Sequence, residues 1–221
     1  MPLSTSPEKI AAIESHGGRC ELIDDPSNIN AESLRQAKET AGNFMDQFTF
    51  AEPATDWRAN NNIAESIFKQ MAAEPHPVPR WIVCGAGTGG TTATLGRYVR
   101  YRRHATRILC VDPERSVFYD YYRSIRDGRS QASLALSSGS TIEGIGRRVG
   151  GAIGTNFVGV VSLAHRMIGV GEKGSIVTIL CDSGERYSHS CYDPHWYVRQ
   201  GIVTGFACCH CSARAQHASP N

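Results

Sequence analysis

Trp81-Ile-Val-Cys-Gly-Ala-Gly-Thr-Gly-Gly-Thr91 is a short apolar run that breaks into a loop carrying four glycines. Glycine permits positive φ and removes the Cβ that would hold a ligand away. The backbone N–H groups of such a loop can therefore converge on one phosphate. Residues 91–103 behind the loop read as a helix, whose N-terminal N–H groups and dipole add to an anion site. The apolar run in front reads as a strand.

The same alternation continues outward. Residues 107–111 form a second apolar strand closed by Asp112-Pro113, residues 155–166 read as a helix, and residues 175–181 as a further strand. Strands alternating with helices imply an α/β fold, a parallel sheet with flanking helices. Upstream, Ser6-Pro7-Glu8 starts a helix that Gly17-Gly18 stops, and residues 20–23 read as a short strand. Asn30 is expected to cap a helix over residues 31–41 that ends at Gly42, and residues 44–50 read as extended. A connector over residues 52–61 leads to Ile63, Ile67, Phe68 and Met71, which recur at helical spacing. Residues 134–154 hold six glycines without a period and read as loop.

Composition limits the function classes. The chain has 221 residues, a formal charge of +2 and a pI near 8.1, so charge gives no push toward nucleic acid or a membrane surface. Arg97, Arg100, Arg102, Arg103 and Arg107, interleaved with Tyr98 and Tyr101, read as a solvated face rather than a nucleic-acid site. The first residues lack the apolar core of a signal peptide, and no apolar run has membrane-spanning length. A soluble cytoplasmic protein is expected. Cys84, Cys110 and Cys181 lie in apolar runs and read as core thiols. Cys208, Cys209, Cys211, His210 and His217 cluster in the tail at a spacing that does not match zinc knuckles, so no metal site is expected.

The glycine loop has two readings. Gly85, Gly87 and Gly90 satisfy G-x-G-x-x-G, with Asp112 ending the next strand about 20 residues on, as a dinucleotide site of an NAD(P)-dependent oxidoreductase requires. The second reading pairs the loop with Leu180-Cys-Asp-Ser-Gly-Glu-Arg-Tyr187, another apolar run ending in a polar turn. Two parallel strands deliver such turns to one sheet edge, where one can hold a phosphate and the other a ring. The Ser183 hydroxyl suits a pyridine nitrogen that stays unprotonated, whereas a carboxylate would favour the pyridinium.

Gly87-Thr-Gly-Gly-Thr91 together with Asp182-Ser-Gly-Glu-Arg-Tyr187 resembles the cysteine synthase and cystathionine β-synthase family, pyridoxal-phosphate enzymes of fold type II. The likeness runs from Met1 to about Gly201. Within it, Thr55-Asp-Trp-Arg58, Asn60-Asn-Asn-Ile-Ala-Glu-Ser66 and Glu143-Gly-Ile-Gly-Arg147 look most like the bacterial L-cysteine desulfhydrase branch. The resemblance implies that Gly87, Thr88, Gly89, Gly90 and Thr91 hold the phosphate of pyridoxal 5'-phosphate. It also implies that Ser183 faces the pyridine nitrogen and that the backbone of Gly144 lies beside the cofactor. Asp112 then has no cofactor role. The implied chemistry is cysteine metabolism: conversion of L-cysteine to hydrogen sulfide, pyruvate and ammonia, or β-replacement on an activated serine.

The same comparison implies two gaps. The family's Schiff-base lysine lies in a region ahead of anything resembling Met1, and Lys9, Lys38, Lys69 and Lys173 read as surface positions. Arg147 and Arg148 directly join segments between which the family carries a strand and a helix, which looks like an internal deletion. Apolar surface and strand edges so exposed would promote association, as a homo-oligomer. The expectation is a partial cofactor-binding domain over residues 1–200 and an unrelated tail over 201–221, with no catalytic lysine and no activity alone. A non-catalytic interaction module pairing with an intact homologue is the alternative from another class.

Overall fold

The computed structural model describes residues 1–51, 56, 58, 62–112, 118–128, 152–181, 183, 184, 188 and 192–199. The chain divides into two compact units, Met1–Ala54 and Thr55–Asn221.

In the first unit, α1 (Pro7–Ser15) starts at its proline, and the chain turns away at Gly17, where φ is +80°. The expected strand over residues 20–23 does not form. The segment makes one parallel bridge, Pro2 to Ile23, with the Ile23 N–H donating to the Met1 carbonyl at 2.9 Å. Strand propensity without a neighbouring strand to complete a ladder yields no sheet. Helix α2 (Ile29–Glu39) begins ahead of the expected Asn30 cap, because a 3-10 turn over Pro26–Asn28, capped by Asp25, runs straight into it. Residues 47–50 correct the extended reading: they form α3 (Gln47–Phe50). The Asp46 carboxylate accepts from the Thr49 N–H at 3.3 Å, a local side-chain bond that offers the backbone a helical turn.

The second unit carries the sheet. Helix α4 (Ile63–Met71) is capped by Asn62, whose side-chain oxygen accepts from the Glu65 N–H at 3.0 Å. Then come β1 (Trp81–Gly85), α5 (Gly90–Tyr101), β2 (Arg107–Val111), α6 (Phe118–Arg126), α7 (Ala152–Gly169), β3 (Ile176–Thr178) and α8 (Pro194–Arg199). Helix α7 takes in the last residues of the expected 134–154 loop; the rest of that loop lies outside the described residues. The strands pair in parallel in the order β2-β1-β3, with Trp81 opposite Arg107 and Ile176, and Val83 opposite Leu109 and Thr178. Strand β3 stops short of the expected Cys181.

Alternation along β1 builds a layer on each face of the sheet. Ile82 and Cys84 pack with Ala64, Ile67, Leu95 and Tyr98 from α4 and α5, while Trp81 and Val83 pack with Leu163 and Met167 from α7. Tyr98 is thus turned into the core, leaving Arg97 and Arg100 on a solvated face as expected. Gly159 lets α7 sit close on the sheet, since a Cβ there would lie 2.5 Å from Val111 Cγ2. At the opposite end, the guanidinium groups of Arg107 and Arg166 stand 4.4 and 4.8 Å from the Trp81 ring centroid. Arg80 is bonded to Glu172, which also accepts from Trp81 Nε1 at 3.4 Å.

Candidate functional site

The candidate site lies at the carboxyl edge of the sheet, where β1 and β3 end side by side. The β1 strand passes through Ala86, Gly87 and Thr88 into Gly89, whose φ of +83° turns the chain into α5. This left-handed conformation favours glycine at that position. Gly90 is buried as the first residue of α5, Gly87, Thr88 and Thr91 are exposed, and the Ala93 N–H closes the first helical bond on the Gly89 carbonyl at 2.9 Å. Among the described residues, the N–H groups of Gly87 through Thr92 have no hydrogen-bond acceptor. A row of open donors at the positive end of a helix of 12 residues is complementary to a phosphate.

Thr92 ties this loop to the sheet. Its Oγ1 lies 3.4 Å from Cys84 Sγ and 3.5 Å from the Gly85 carbonyl oxygen. Thr94 Oγ1 donates to the Gly90 carbonyl at 2.9 Å, so the first turn of α5 is held from both sides. Burial pushes the Cys84 thiol up. Partial burial likewise pushes the Cys110 thiol up to about 11, with nearby Cys84 and Asp112 adding and the Thr92 hydrogen bond opposing. These thiols stay protonated at neutral pH, which makes them poor nucleophiles. Cys84 is a core residue as expected, but Cys110 and Cys181 are exposed. The correction follows from topology, because among the described residues β2 is an edge strand, and Cys181 lies beyond the end of β3.

Ser183 sits in the exposed turn that follows β3, one strand over from the glycine loop. Next to it, Gly184 admits Tyr192 closely: a Cβ there would lie 2.8 Å from Tyr192 Oη. The structure therefore brings Gly87, Thr88, Gly89, Gly90, Thr91 and Ser183 to one edge of adjacent parallel strands. Gly144 and Asp182 lie outside the described residues, as do Cys208, Cys209, His210, Cys211 and His217. Both carboxylate oxygens of Asp112 are shut off from solvent and lack hydrogen-bond partners, so neither is open to a ribose diol as the dinucleotide reading needs. Of the lysines, Lys9 is half-buried on α1, while Lys38, Lys69 and Lys173 are exposed, with Lys69 paired to Glu65 at 3.3 Å.

Asn156 is a site-edge residue that the sequence reading missed. In the first turns of α7 it is 1% exposed, and its Nδ2 donates to the Ile179 carbonyl at 3.2 Å and to Cys181 Sγ at 3.8 Å. No periodicity marks a polar side chain whose partner lies 23 residues on. Among the described residues no group of His, Cys, Asp and Glu could hold a metal ion, and no helix is long and apolar enough to cross a membrane.

Residues 1–172 match the family described as pyridoxal-phosphate dependent enzyme. The chain is 46% identical over 238 residues to the L-cysteine desulfhydrase Cds1 of Mycobacterium tuberculosis (strain ATCC 25177 / H37Ra), covering 91% of this chain and 63% of that protein. It is 24% identical to a cysteine synthase of Dictyostelium discoideum, over 89% of this chain and 61% of the relative. The chain thus spans under two thirds of the length of both. In fold it is similar to a hydrogen sulfide-producing enzyme from Fusobacterium nucleatum, with a TM-score of 0.61 at 19% identity over 85% of this chain and 63% of that one. An O-ureido-L-serine synthase structure aligns with a TM-score of 0.61 at 16% identity, over 96% and 71% of the two chains.

Proposed function

Because the chain belongs to the family of pyridoxal-phosphate dependent enzymes, we propose that it carries the cofactor-binding part of a cysteine-degrading lyase. The reaction of the whole site is L-cysteine and water to hydrogen sulfide, pyruvate and ammonia. The observation that carries the cofactor assignment is the row of open N–H groups from Gly87 to Thr92 at the head of α5, at the same sheet edge from which the chain leaves β3 toward Ser183. Those donors and the helix dipole fit a phosphate dianion, and Gly87, Thr88, Gly89, Gly90 and Thr91 bind it. The Ser183 hydroxyl donates to the ring nitrogen and keeps it unprotonated. Gly144 is assigned beside the ring by likeness to the family. When bound, the cofactor withdraws electrons from the amino acid's Cα, so that the β-thiol can leave.

The lysine that carries the cofactor covalently is none of Lys9, Lys38, Lys69 or Lys173. None is buried, and a Schiff-base lysine needs a desolvated pocket to lower its pKa. The 221-residue chain is therefore a cofactor binder that does not turn over cysteine by itself. L-Cysteine is the substrate class on the strength of the 46% identical relative named as a desulfhydrase.

Absorbance titration of the chain with pyridoxal phosphate, with and without inorganic phosphate as competitor, tests the grip. Binding that is displaced by phosphate and weaker for pyridoxal supports it, and no saturable binding refutes it. Borohydride reduction followed by peptide mapping tests the second claim, together with a sulfide assay. A stoichiometric adduct on one of the four lysines, or sulfide release from L-cysteine, overturns it.

A further inference from the structure

We propose that Cys84 and Cys110 are a redox modification site: a pair of thiols that closes into a disulfide by exchange with a low-molecular-weight disulfide, and in closing loosens the start of α5. The parallel register sets Cys84 of β1 directly opposite Cys110 of β2. Neighbouring strands lie about 4.8 Å apart, inside the roughly 4.4–6.8 Å that separates the Cα atoms of bridged cysteines. Both side chains also leave the sheet on one face. Ile82 and Ile108 stand opposite each other and pack in the cluster with α4 and α5, and each cysteine lies two residues further along its strand. One hydroxyl reaches both sulfurs: Thr92 Oγ1 lies 3.4 Å from Cys84 Sγ and is hydrogen-bonded to Cys110 as well.

The two thiols differ in access, which divides the exchange between them. Cys110 is exposed, whereas Cys84 is 2% exposed. Cys110 gives its proton to solvent, and its sulfur attacks one sulfur of the entering disulfide. A mixed disulfide forms, and the departing small thiolate takes up a proton. Cys84, deprotonated in turn, attacks the Cys110 sulfur and expels the second small thiolate, which is protonated likewise. Two protein thiols are oxidised and one small disulfide is reduced to two thiols. Burial holds back the thiolates and so slows both steps, but the bridged product is neutral and carries no such penalty.

The consequence falls on the glycine loop. Thr92 stands in the first turn of α5, and its contacts with Cys84 Sγ and the Gly85 carbonyl tie that turn to β1. A bridged sulfur has no proton to donate, and bridging turns the two sulfurs toward each other. The first turn of α5 then loses one of its ties, and the N–H groups that hold the phosphate lose their alignment. This last step rests on the cofactor reading above; formation of the disulfide does not.

The test uses the full 221-residue chain, first reduced and then held with L-cystine at pH 9, where more thiolate forms. Mass-spectrometric mapping of unreduced peptides identifies the linked residues, and titration at pH 7.5 after removal of cystine measures affinity for inorganic phosphate. The expected result is a Cys84–Cys110 link with phosphate affinity lowered about 2- to 10-fold, the contribution of one hydrogen bond, and restored by dithiothreitol. Cys110→Ser should bind phosphate as the reduced wild type does and ignore cystine. A map without the Cys84–Cys110 link overturns the inference, whether Cys110 keeps a mixed disulfide or Cys84 is linked to Cys181 instead. A linked chain with unchanged phosphate affinity also overturns it, as does Cys110→Ser responding to cystine like the wild type; each of these leaves the cofactor reading intact. A reduced wild type that does not bind phosphate refutes the cofactor reading and the coupling with it.

Discussion

Gly159→Ala adds one methyl group where α7 meets the sheet. The new Cβ would lie 2.5 Å from Val111 Cγ2, 3.2 Å from Val83 Cγ1 and 3.4 Å from Val111 Cγ1. Since carbon atoms rest at roughly 3.5–4.0 Å, helix or strand must retreat by about 1 Å. Valine has one strongly favoured χ1 in regular structure and cannot swing clear cheaply. Overpacking of this kind costs about 1–3 kcal/mol, and a clash with two β-branched side chains belongs at the upper end. Alanine is the better helix former by about 1 kcal/mol. The difference is a net loss of about 2 kcal/mol, or roughly 4–8 °C in melting temperature for a chain of this size. Thermal and urea melts of Gly159→Ala, Val111→Ala and the double variant form a cycle that isolates the clash. The double variant should be more stable than the sum of the singles by about 1–2 kcal/mol. If Gly159→Ala instead gains the full helix-propensity increment and shows no coupling to Val111, the close approach of α7 to β2 is wrong.

Other perturbations probe the same unit. Gly89→Ala forces a side chain into φ of +83° although its Cβ meets nothing within 4 Å, so it should lose about 1–2 kcal/mol through the backbone alone. Gly89→Asn should lose less, because asparagine tolerates that region, and equal melts for the two would contradict the assigned conformation. Arg80 bonded to Glu172 holds the Glu172 carboxyl below its ordinary 4.5, with Trp81 and Arg107 assisting against partial desolvation. A depressed carboxyl pKa contributes stability above its unfolded value and loses it as pH falls through the folded one. The stability difference between wild type and Glu172→Gln should therefore be full at pH 7 and shrink below about pH 4.5; a pH-independent difference would count against the pair. Raising Cys110 from 9.0 to about 11 leaves it with about 100-fold less thiolate than an ordinary cysteine at neutral pH. Iodoacetamide labelling of Cys110, followed by mass spectrometry, should be slow at pH 7.5 and accelerate up to about pH 11; labelling at an ordinary rate would show the thiol is not desolvated.

The strand at Trp81, the glycine loop and the helix behind it were legible because each signal is local. An apolar run, a residue that alone tolerates φ of +83°, and a helical period are properties of a dozen consecutive residues. The apolar run at 107–111 was legible for the same reason, and alternation of strand and helix was enough to make the sheet parallel. The family likeness rested on such local stretches, and the match over residues 1–172 bears it out.

Tertiary structure decided what depends on a partner distant in sequence. Residues 20–23 have the makings of a strand but meet only a single bridge, and residues 47–50 follow the Asp46 cap into a helix. Cys110 and Cys181 look like core thiols along the chain, and are exposed because, among the described residues, β2 forms a sheet edge and β3 ends early. Placing β3 beside β1, which sends the run toward Ser183 off the same sheet edge as the glycine loop, follows from Trp81 pairing with Ile176 across the intervening 94 residues. Asn156 becomes significant only through Ile179, and Gly159 only through Val111. Hydrogen bonds, ladders and steric contacts act between neighbours in space, so the sequence by itself determined which local elements can form and carry a phosphate. The packing of α7 and β3 on β1 determined which side chains meet around it.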